Sequence, residues 1–248
     1  MNNLSQSEKT AFFAENVFLL RGEIKDNVFD MLETNSAVHT PHKFAKQLAD
    51  DKYKAFSFFK SLSVPVPETL KADSGDIQEQ FLLASQKLGL PFIAKPRFGS
   101  MGRNVALIKN FNQFEDAYKN CRDLVFQSFI ETKTESLNRY DLRFFVIGGK
   151  VAASVLRIAP DSTSIASNAH QGGVIRLYKA SDKLKAEALG IIKSAGLDYG
   201  TADFLLPSEE PEKPLLCEIN ACPGFEALET QLHINIAEQI VDYVLKLK

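Results

Sequence analysis

Glu218 and Asn220 are two oxygen-bearing side chains in an otherwise apolar segment, 215–220. If this segment is a strand, strict alternation places them together on one face and Cys217 on the opposite, apolar face. A carboxylate and an amide on a buried strand are costly unless another group compensates them. A divalent cation would do so, and all-oxygen ligands favour Mg²⁺ or Mn²⁺ over zinc. The alternative is a strand end at which Glu218 pairs with a nearby lysine or arginine.

Asp203 is a third candidate ligand, since it lies among apolar residues in the segment 201–206, which we predict to be a neighbouring strand. Asp203, Glu218 and Asn220 could together hold Mg²⁺, with nucleotide phosphates and water completing an octahedron. Separate ion pairs for the two carboxylates are the alternative.

A short loop with Gly99, Ser100 and Gly102 joins two further predicted strands. Glycines allow backbone N–H groups to turn toward an anion, and Lys95 leads into this loop among apolar neighbours. A lysine in that position needs an anion, and phosphate is a natural one. The loop lacks the spacing and the following helix of a Walker A motif. A plain hairpin loop with a snorkelling lysine is the alternative, but a phosphate loop together with a cation site indicates ATP.

The composition is that of an ordinary globular protein: 248 residues, 45% hydrophobic and 24% charged, with a net charge of −2. No basic block stands out, which argues against a nucleic-acid partner. Three cysteines without a C-x-x-C pair indicate reduced thiols. We see no signal peptide and no membrane span, so we expect a cytoplasmic protein without a membrane partner.

Mixed helices and strands must position these side chains, in an order that lacks the regular alternation of a Rossmann sheet. We expect the polar segment 161–173, which ends in two glycines, to be a functional loop. Periodicity and turn signals predict strands over 91–96, 104–108, 124–129, 143–147, 150–158 and 201–206, and helices over 51–62, 76–88, 111–120, 181–195 and 234–246.

The order of the motifs resembles that of the ATP-grasp ligases, most closely the RimK-type, α-L-glutamate ligase-like branch, which adds glutamate to a carboxylate at a protein C terminus. The resemblance covers roughly residues 48 to 248. The motifs are Lys95-Pro96 with Gly99-Ser100-x-Gly102, Val-Phe-Gln-Ser-Phe-Ile at 125–130, Asp141-Leu142-Arg143, Ser-Asn-Ala-His-Gln-Gly-Gly at 167–173, Asp203, and Glu-Ile-Asn-Ala-Cys-Pro-Gly-Phe at 218–225.

The resemblance implies an α+β protein with the ATP-grasp fold, in which two α+β lobes clamp ATP. We expect a shortened N-terminal segment at 1–48, a lid or central lobe at 49–129, and a C-terminal lobe with the metal site at 130–248. The implied metal ligands are Asp203, Glu218 and Asn220, and the implied reaction-site residues are Arg143, Arg157 and Asn168. The implied ATP contacts are Lys52, Lys95, Gly99, Ser100, Gly102, Gln127, Ser128, Phe129, Asp141, Ser167 and Asn168.

The implied function is an ADP-forming carboxylate–amine ligase that uses ATP with Mg²⁺ or Mn²⁺ and passes through an acyl phosphate. Its substrates would be a carboxylate and an amine, which is an amino acid, a peptide or a protein C terminus. An ATP-grasp kinase that phosphorylates a small molecule is one alternative. A non-catalytic Mg·ATP-binding partner protein is the other.

Two positions depart from the RimK-type pattern, since Ala166 and Gln171 stand where that branch carries arginines. Fewer cationic side chains near a substrate carboxylate predict weaker selection for glutamate and a preference for a less acidic amine. A partner subunit, or a second copy in a homo-oligomer, could instead supply the missing charge on the N-terminal side.

Overall fold

The computed structural model describes residues 5–99, 102–132, 138–161, 164 and 172–247. Within these residues the chain forms an N-terminal unit and two α+β lobes, each built on its own sheet. None of the described helices has the length and apolar character needed to cross a membrane.

The N-terminal unit contains a two-stranded parallel sheet with a small core around Phe13 and Leu32. Ser5 caps its first helix, since its hydroxyl accepts from the Glu8 N–H and the Glu8 carboxylate accepts from the Ser5 N–H. The elements of the unit are α1 (Gln6–Glu15), β1 (Val17–Leu19), α2 (Asp26–Thr34) and β2 (Val38–Thr40).

The first lobe is a four-stranded antiparallel sheet in the order β3-β6-β4-β5, with two helices packed on it. Its core is aromatic: the ring of Phe92 is fully buried and lies about 6 Å from the rings of Phe114 and Phe126. The elements are β3 (Thr69–Lys71), α5 (Ile77–Leu88), β4 (Phe92–Pro96), β5 (Ala106–Ile108), α6 (Phe111–Asn120) and β6 (Leu124–Ser128).

The second lobe is a five-stranded antiparallel sheet in the order β11-β10-β7-β8-β9, covered by helices on both faces. Alternation along β7 sends Phe144 into the core with α3, α4 and α7, and Phe145 into the core with α8 and α9. The elements are α3 (Lys43–Asp50), α4 (Lys52–Ser61), β7 (Tyr140–Ile147), β8 (Lys150–Ile158), β9 (Val174–Leu177), α7 (Asp182–Ser194), β10 (Tyr199–Leu205), β11 (Leu215–Asn220), α8 (Glu226–Leu232) and α9 (Ile236–Val244).

Most elements expected from periodicity are present, and two of them, α6 and β8, have the predicted bounds. The sequence prediction missed α1, α3, α8, β2, β3 and β9, and the three strands among them have only three or four residues each. Along β9 the only buried side chain is that of Ile175, so the strand carries almost no hydrophobic alternation. Tertiary contacts with β8 and α8 therefore define this strand more than its own sequence does.

Replacement of Phe92 by Ala tests the aromatic core of the first lobe. We expect a loss of about 3–5 kcal/mol in the free energy of unfolding, because a fully buried ring leaves a cavity. Urea unfolding followed by circular dichroism measures it. Leu82→Ala is the control, since Leu82 lies on α5 of the same lobe and is 56% exposed. Equal losses in both variants would contradict the placement of Phe92 in the core.

Candidate active site

A cleft between the two lobes brings together most of the site residues predicted from the sequence. The flap predicted at 161–173, including Ala166 and Gln171, lies largely outside the described residues, as do Ser100, Ser167 and Asn168. The predicted residues that line the cleft are Lys52, Lys95, Gly99, Gly102, Gln127, Ser128, Phe129, Asp141, Arg143, Arg157, Asp203, Glu218 and Asn220.

The three predicted metal ligands share one face at the edge of the second sheet. Asp203 on β10 lies directly opposite Glu218 on β11, and Asn220 lies opposite Thr201. Directly opposed residues of an antiparallel pair point to the same face, and Glu218 and Asn220 are two residues apart. The strand pairing therefore brings two carboxylates and one amide to the same wall of the cleft.

Asp203 is buried between two guanidinium groups. Its carboxylate accepts two hydrogen bonds from Arg143, at 2.8 and 2.6 Å, and one from Arg157 at 2.8 Å. Arg157 also donates to Asp141 at 2.5 Å. Burial alone would raise the pKa of the Asp203 carboxyl, but the two guanidinium groups hold that pKa below its usual range. The ion pairs that we considered as the alternative role of Asp203 are therefore present, and both arginines line the cleft.

Glu218 and Asn220 retain acceptor oxygens. Glu218 accepts no hydrogen bond from any residue in the described part of the chain, although its carboxylate is half-buried. Asn220 donates through Nδ2 to Thr201 Oγ1 at 3.3 Å, and its Oδ1 remains an acceptor. No group of three or more His, Cys, Asp or Glu side chains that could hold a metal occurs among the described residues. A site with two carboxylates and one amide, in which substrate phosphates would complete the coordination, fits Mg²⁺.

The strict alternation expected for the Glu218 strand is wrong at Cys217. Asp203 pairs with Glu218 but Phe204 pairs with Leu216, so Cys217 is an extra residue in a β-bulge. The bulge turns the thiol into the cleft, where Sγ lies 4.0 Å from Lys95 Nζ. Burial raises the pKa of this thiol, with Lys95 acting in the opposite direction. An isolated β-strand pattern contains no signal for such a bulge.

Lys95 is a buried cation on β4 that is held by an amide. Its Nζ donates to Gln127 Oε1 at 2.8 Å, and Gln127 Nε2 donates to Thr69 Oγ1 at 2.9 Å. No carboxylate of the described residues lies within ion-pair distance of Lys95. Gln127 thus holds the Lys95 ammonium group through a neutral amide. A buried cation without a carboxylate partner is suited to an anionic ligand such as phosphate.

The glycine loop is attached to the N-terminus of α4. Arg97, which precedes the loop, donates to both oxygens of Asp51, at 2.8 and 2.5 Å. Asp51 also caps α4 by accepting from the backbone N–H groups of its second and third residues. Lys52 Nζ donates to the Gly99 carbonyl at 2.6 Å. Sequence reasoning missed Asp51 and Arg97, although an aspartate before a helix is a recognisable capping signal.

Burial disfavours the charged form of Asp51, but the hydrogen bond from Arg97 and the backbone donors hold the pKa of its carboxyl below the usual range. The Arg97–Asp51 contact is thus an ion pair at neutral pH. Gly99 has a φ of +126°, a backbone conformation that residues with a side chain rarely adopt, so the loop requires glycine there.

The fold and the cleft define an ATP-grasp protein, in which two α+β lobes face each other across a cleft. The chain belongs to the RimK-like ATP-grasp family, because the model of the RimK-like ATP-grasp domain matches residues 49–244. This family consists of carboxylate–amine ligases, and ATP-grasp enzymes use ATP and Mg²⁺. The fold class expected from the sequence is confirmed.

Named relatives agree with this family. A probable alpha-L-glutamate ligase of Legionella pneumophila (strain Corby) is 31% identical over 222 residues, which cover 87% of this chain and 69% of that protein. A RimK domain ATP-grasp protein from Sphaerobacter thermophilus has a TM-score of 0.70 at 19% identity, covering 92% of this chain and 81% of that one. The ATP-grasp ligase PsnB, complexed with a precursor variant, Mg and ADP, has a TM-score of 0.64 at 18% identity, covering 89% of this chain and 64% of PsnB. The two structures support the fold alone.

Replacement of Glu218 by Gln tests the wall of the cleft that is predicted to bind the metal. We expect Mg·ATP to raise the melting temperature of the wild type, because a ligand that binds only the folded state stabilises it. The variant should lose most of that rise, and its Kd for Mg·ATP by calorimetry should increase about tenfold or more. Glu209→Gln, on an exposed turn of the same lobe, is the control. A Glu218→Gln variant that responds like the wild type would show that the metal ligands lie elsewhere.

Replacement of Asp51 by Asn tests the ion pair that anchors the glycine loop. Asparagine still caps a helix, so the variant loses mainly the charge-assisted bonds to Arg97, about 1.5–3 kcal/mol of stability at pH 7. Because the folded-state pKa of Asp51 is lowered, this contribution is present above the unfolded pKa and is lost as the pH falls through the folded value. The difference in melting temperature between wild type and variant should therefore shrink below about pH 4.

Asp123→Asn is the matched control for this ion pair, because Asp123 also faces Arg97, at 4.0 Å, but its side chain is 52% exposed. We expect a change within about 0.5 kcal/mol at every pH. A deficit in the Asp51 variant that is independent of pH would contradict the role of the Asp51 charge in holding the loop.

Proposed function

We propose that this chain joins a carboxylate to an amine at the cleft, with ATP converted to ADP and phosphate. The observation that carries the proposal is the division of charge between the two walls. The first lobe presents Lys95 and the glycine loop, and the second presents Glu218 and Asn220 beside the arginine pair. Triphosphate bound between these walls would have its terminal phosphate near the carboxylates and arginines of the second lobe.

Nucleotide contacts follow from this orientation. Lys95 and the backbone of the glycine loop would bind phosphate, and the end of β6 would face the adenine. The Ser128 N–H donates to the Glu68 carbonyl at 2.9 Å, so a backbone N–H for the ring would come from the following residue, Phe129, while Ser128 could offer its carbonyl. Mg²⁺, held by Asp203, Glu218 and Asn220, would neutralise charge on the phosphates. Lys52, which binds the Gly99 carbonyl, would support the loop.

The proposed reaction has two chemical steps. A substrate carboxylate oxygen attacks the γ-phosphorus, forming an acyl phosphate while the bond to the β–γ bridging oxygen breaks and ADP leaves. A neutral amine then attacks the acyl carbon, the C–O bond to phosphate breaks, and the proton of the amine passes to solvent or to the leaving phosphate. Arg143 and Arg157 are placed to stabilise the negative charge that develops in both steps, and the residues need only bind and orient.

A second cavity is the proposed entry for the substrates that react with ATP. It lies in the same lobe and shares Arg143 and Arg157 with the nucleotide cleft, so a ligand in it would reach the γ-phosphate across the arginine pair. The sheet contributes two arginines and three apolar side chains to its lining, and α8 contributes both polar and apolar side chains. The cavity is lined by Arg143, Phe145, Val155, Arg157, Ile175, Gly224, Glu226, Ala227, Leu228, Thr230 and Gln231.

L-glutamate is the first amine to test, because the curated relatives are named probable alpha-L-glutamate ligases. Ala166 and Gln171 remain the reason to test less acidic amines beside it. We also propose the cytoplasm as the compartment, supported by three free cysteines.

The test is an assay of purified chain with Mg·ATP, L-glutamate or another amino acid, and a panel of peptides and small acids labelled with ¹⁸O at the carboxylate. We expect ADP, an amide product by mass spectrometry, and one ¹⁸O atom in the released phosphate. Hydroxylamine in place of the amine should yield a hydroxamate. A stable phosphorylated product would indicate a kinase, and nucleotide binding without ADP from any acceptor would indicate a binding protein.

Arg157→Met should lower kcat at least about 100-fold in this assay, since a group that stabilises transition-state charge is removed. Arg176→Met is the matched control, because Arg176 lies on the neighbouring strand β9 with an exposed side chain. Full activity in the Arg157 variant would remove this residue from the reaction site. Glutamate as the best amine by a wide margin would contradict the weaker selection predicted from Ala166 and Gln171.

A further inference from the structure

Arg21 lies outside the family-matched region, 49–244, yet it contacts the loop that follows the metal-binding strand β11. Its Nη2 donates to the carbonyl of Pro223 at 3.0 Å. Its guanidinium carbon lies 4.8 Å from the centroid of the Phe225 ring and 5.9 Å from that of Tyr199. One side chain of the N-terminal unit thus contacts both the loop and the sheet of the second lobe.

Two further hydrogen bonds hold the same stretch of chain, one to this loop and one to strand β10. The backbone N–H of Gly22 donates to Cys222 Sγ at 3.1 Å, and the hydroxyl of Tyr199 donates to the Leu20 carbonyl at 3.4 Å. Residues of β1 also pack against the core beneath α8 and α9. The contact is therefore a continuous seam and is not limited to one side chain.

The loop 221–225 has two functional neighbours. It begins immediately after Asn220, a proposed metal ligand, and it leads directly into Glu226, the first residue of α8. Gly224 and Glu226 line the second cavity. Phe225 occupies the N-cap position of α8 but makes no capping hydrogen bond through its side chain. The Arg21 guanidinium against the Phe225 ring adds a contact from outside the helix at the start of α8.

Arg21 also has a buried donor that is not satisfied, since Nη1 has no hydrogen-bond partner among the described residues. Burying an unpaired donor is unfavourable, so the other contacts of Arg21 must outweigh that cost.

We propose that Arg21 is a positioning residue, which holds the loop 221–225 so that Gly224 and Glu226 keep the shape of the second cavity. It acts through Pro223 and Phe225 and does not touch the nucleotide cleft. The inference rests on the proposed function only in taking the second cavity as the site of the substrates that react with ATP.

Hydrogen–deuterium exchange tests the structural half of the proposal without any turnover. Arg21→Met should increase exchange of the amides of 221–232 about tenfold, while amides of 92–108 in the first lobe keep their rates. Arg21→Lys, which keeps a donor and a cation, should restore most of the protection. Arg122→Met is the matched control, because the Arg122 guanidinium carbon lies 4.8 Å from the Tyr118 ring in the other lobe. Unchanged exchange at 221–232 in Arg21→Met would overturn the proposal.

Steady-state kinetics tests the functional half, with the acid and amine that the ¹⁸O assay identifies. Arg21→Met should raise the KM of the substrate in the second cavity about tenfold, with the KM of Mg·ATP and kcat nearly unchanged, and Arg21→Lys should recover it. Equal increases in the KM of Mg·ATP and in the KM of the substrate in the second cavity would overturn the positioning role.

Phe225→Leu provides a second variant if Arg21→Met does not fold, and it should reproduce the same change in exchange and in KM. A wild type without turnover would refute the ligase function, whereas the exchange experiment would still decide whether Arg21 holds the loop. The two failures are therefore distinguishable.

Discussion

Asp203 places a negative charge in the interior of the five-stranded sheet, and this burial is tolerable only because Arg143 and Arg157 surround it. Removing one partner of such a buried pair typically costs about 3–5 kcal/mol, since an uncompensated charge remains. The pairing follows from strand register, because Asp203 lies opposite Arg143 on one side and Glu218 on the other. A row of charged side chains therefore runs across adjacent strands of the sheet at the cleft.

This row also explains why the arginine pair can serve both ligands of the proposed reaction. Arg143 and Arg157 line the cleft between the lobes and the second cavity, while Asp203 and Asp141 keep their guanidinium groups oriented. Orientation before the substrates arrive lowers the cost of stabilising charge during the reaction. Glu218, which no described residue hydrogen-bonds, leaves an open carboxylate for a cation at the same wall.

The helix α4 links the two lobes physically. Its Ala55 and Phe59 are buried in the core of the second lobe, whereas Asp51 at its N-terminus holds Arg97 of the first lobe. Lys52 adds a bond to the Gly99 carbonyl. The glycine loop is thus positioned by a helix that belongs to the opposite lobe. The N-terminal unit makes a comparable contact at the other side of the site, through Arg21.

Much of the site was predictable from the sequence, because its chemistry is local. Carboxylates and an amide in apolar strands and a lysine before a glycine loop predicted a site for a cation and a phosphate, and the resemblance of the ordered motifs to the ATP-grasp ligases implied the fold. They also predicted many of the described residues that line the cleft, but not Arg103, Arg139, Tyr140 or Cys217. Register and long-range contacts were not predictable. The bulge at Cys217, the sharing of Asp203 between two arginines and the contact of Arg21 with residue 223 depend on atoms far apart in the chain. Hydrophobic periodicity and residue type act over a few neighbours, whereas these pairings exist only once the sheets and lobes have packed.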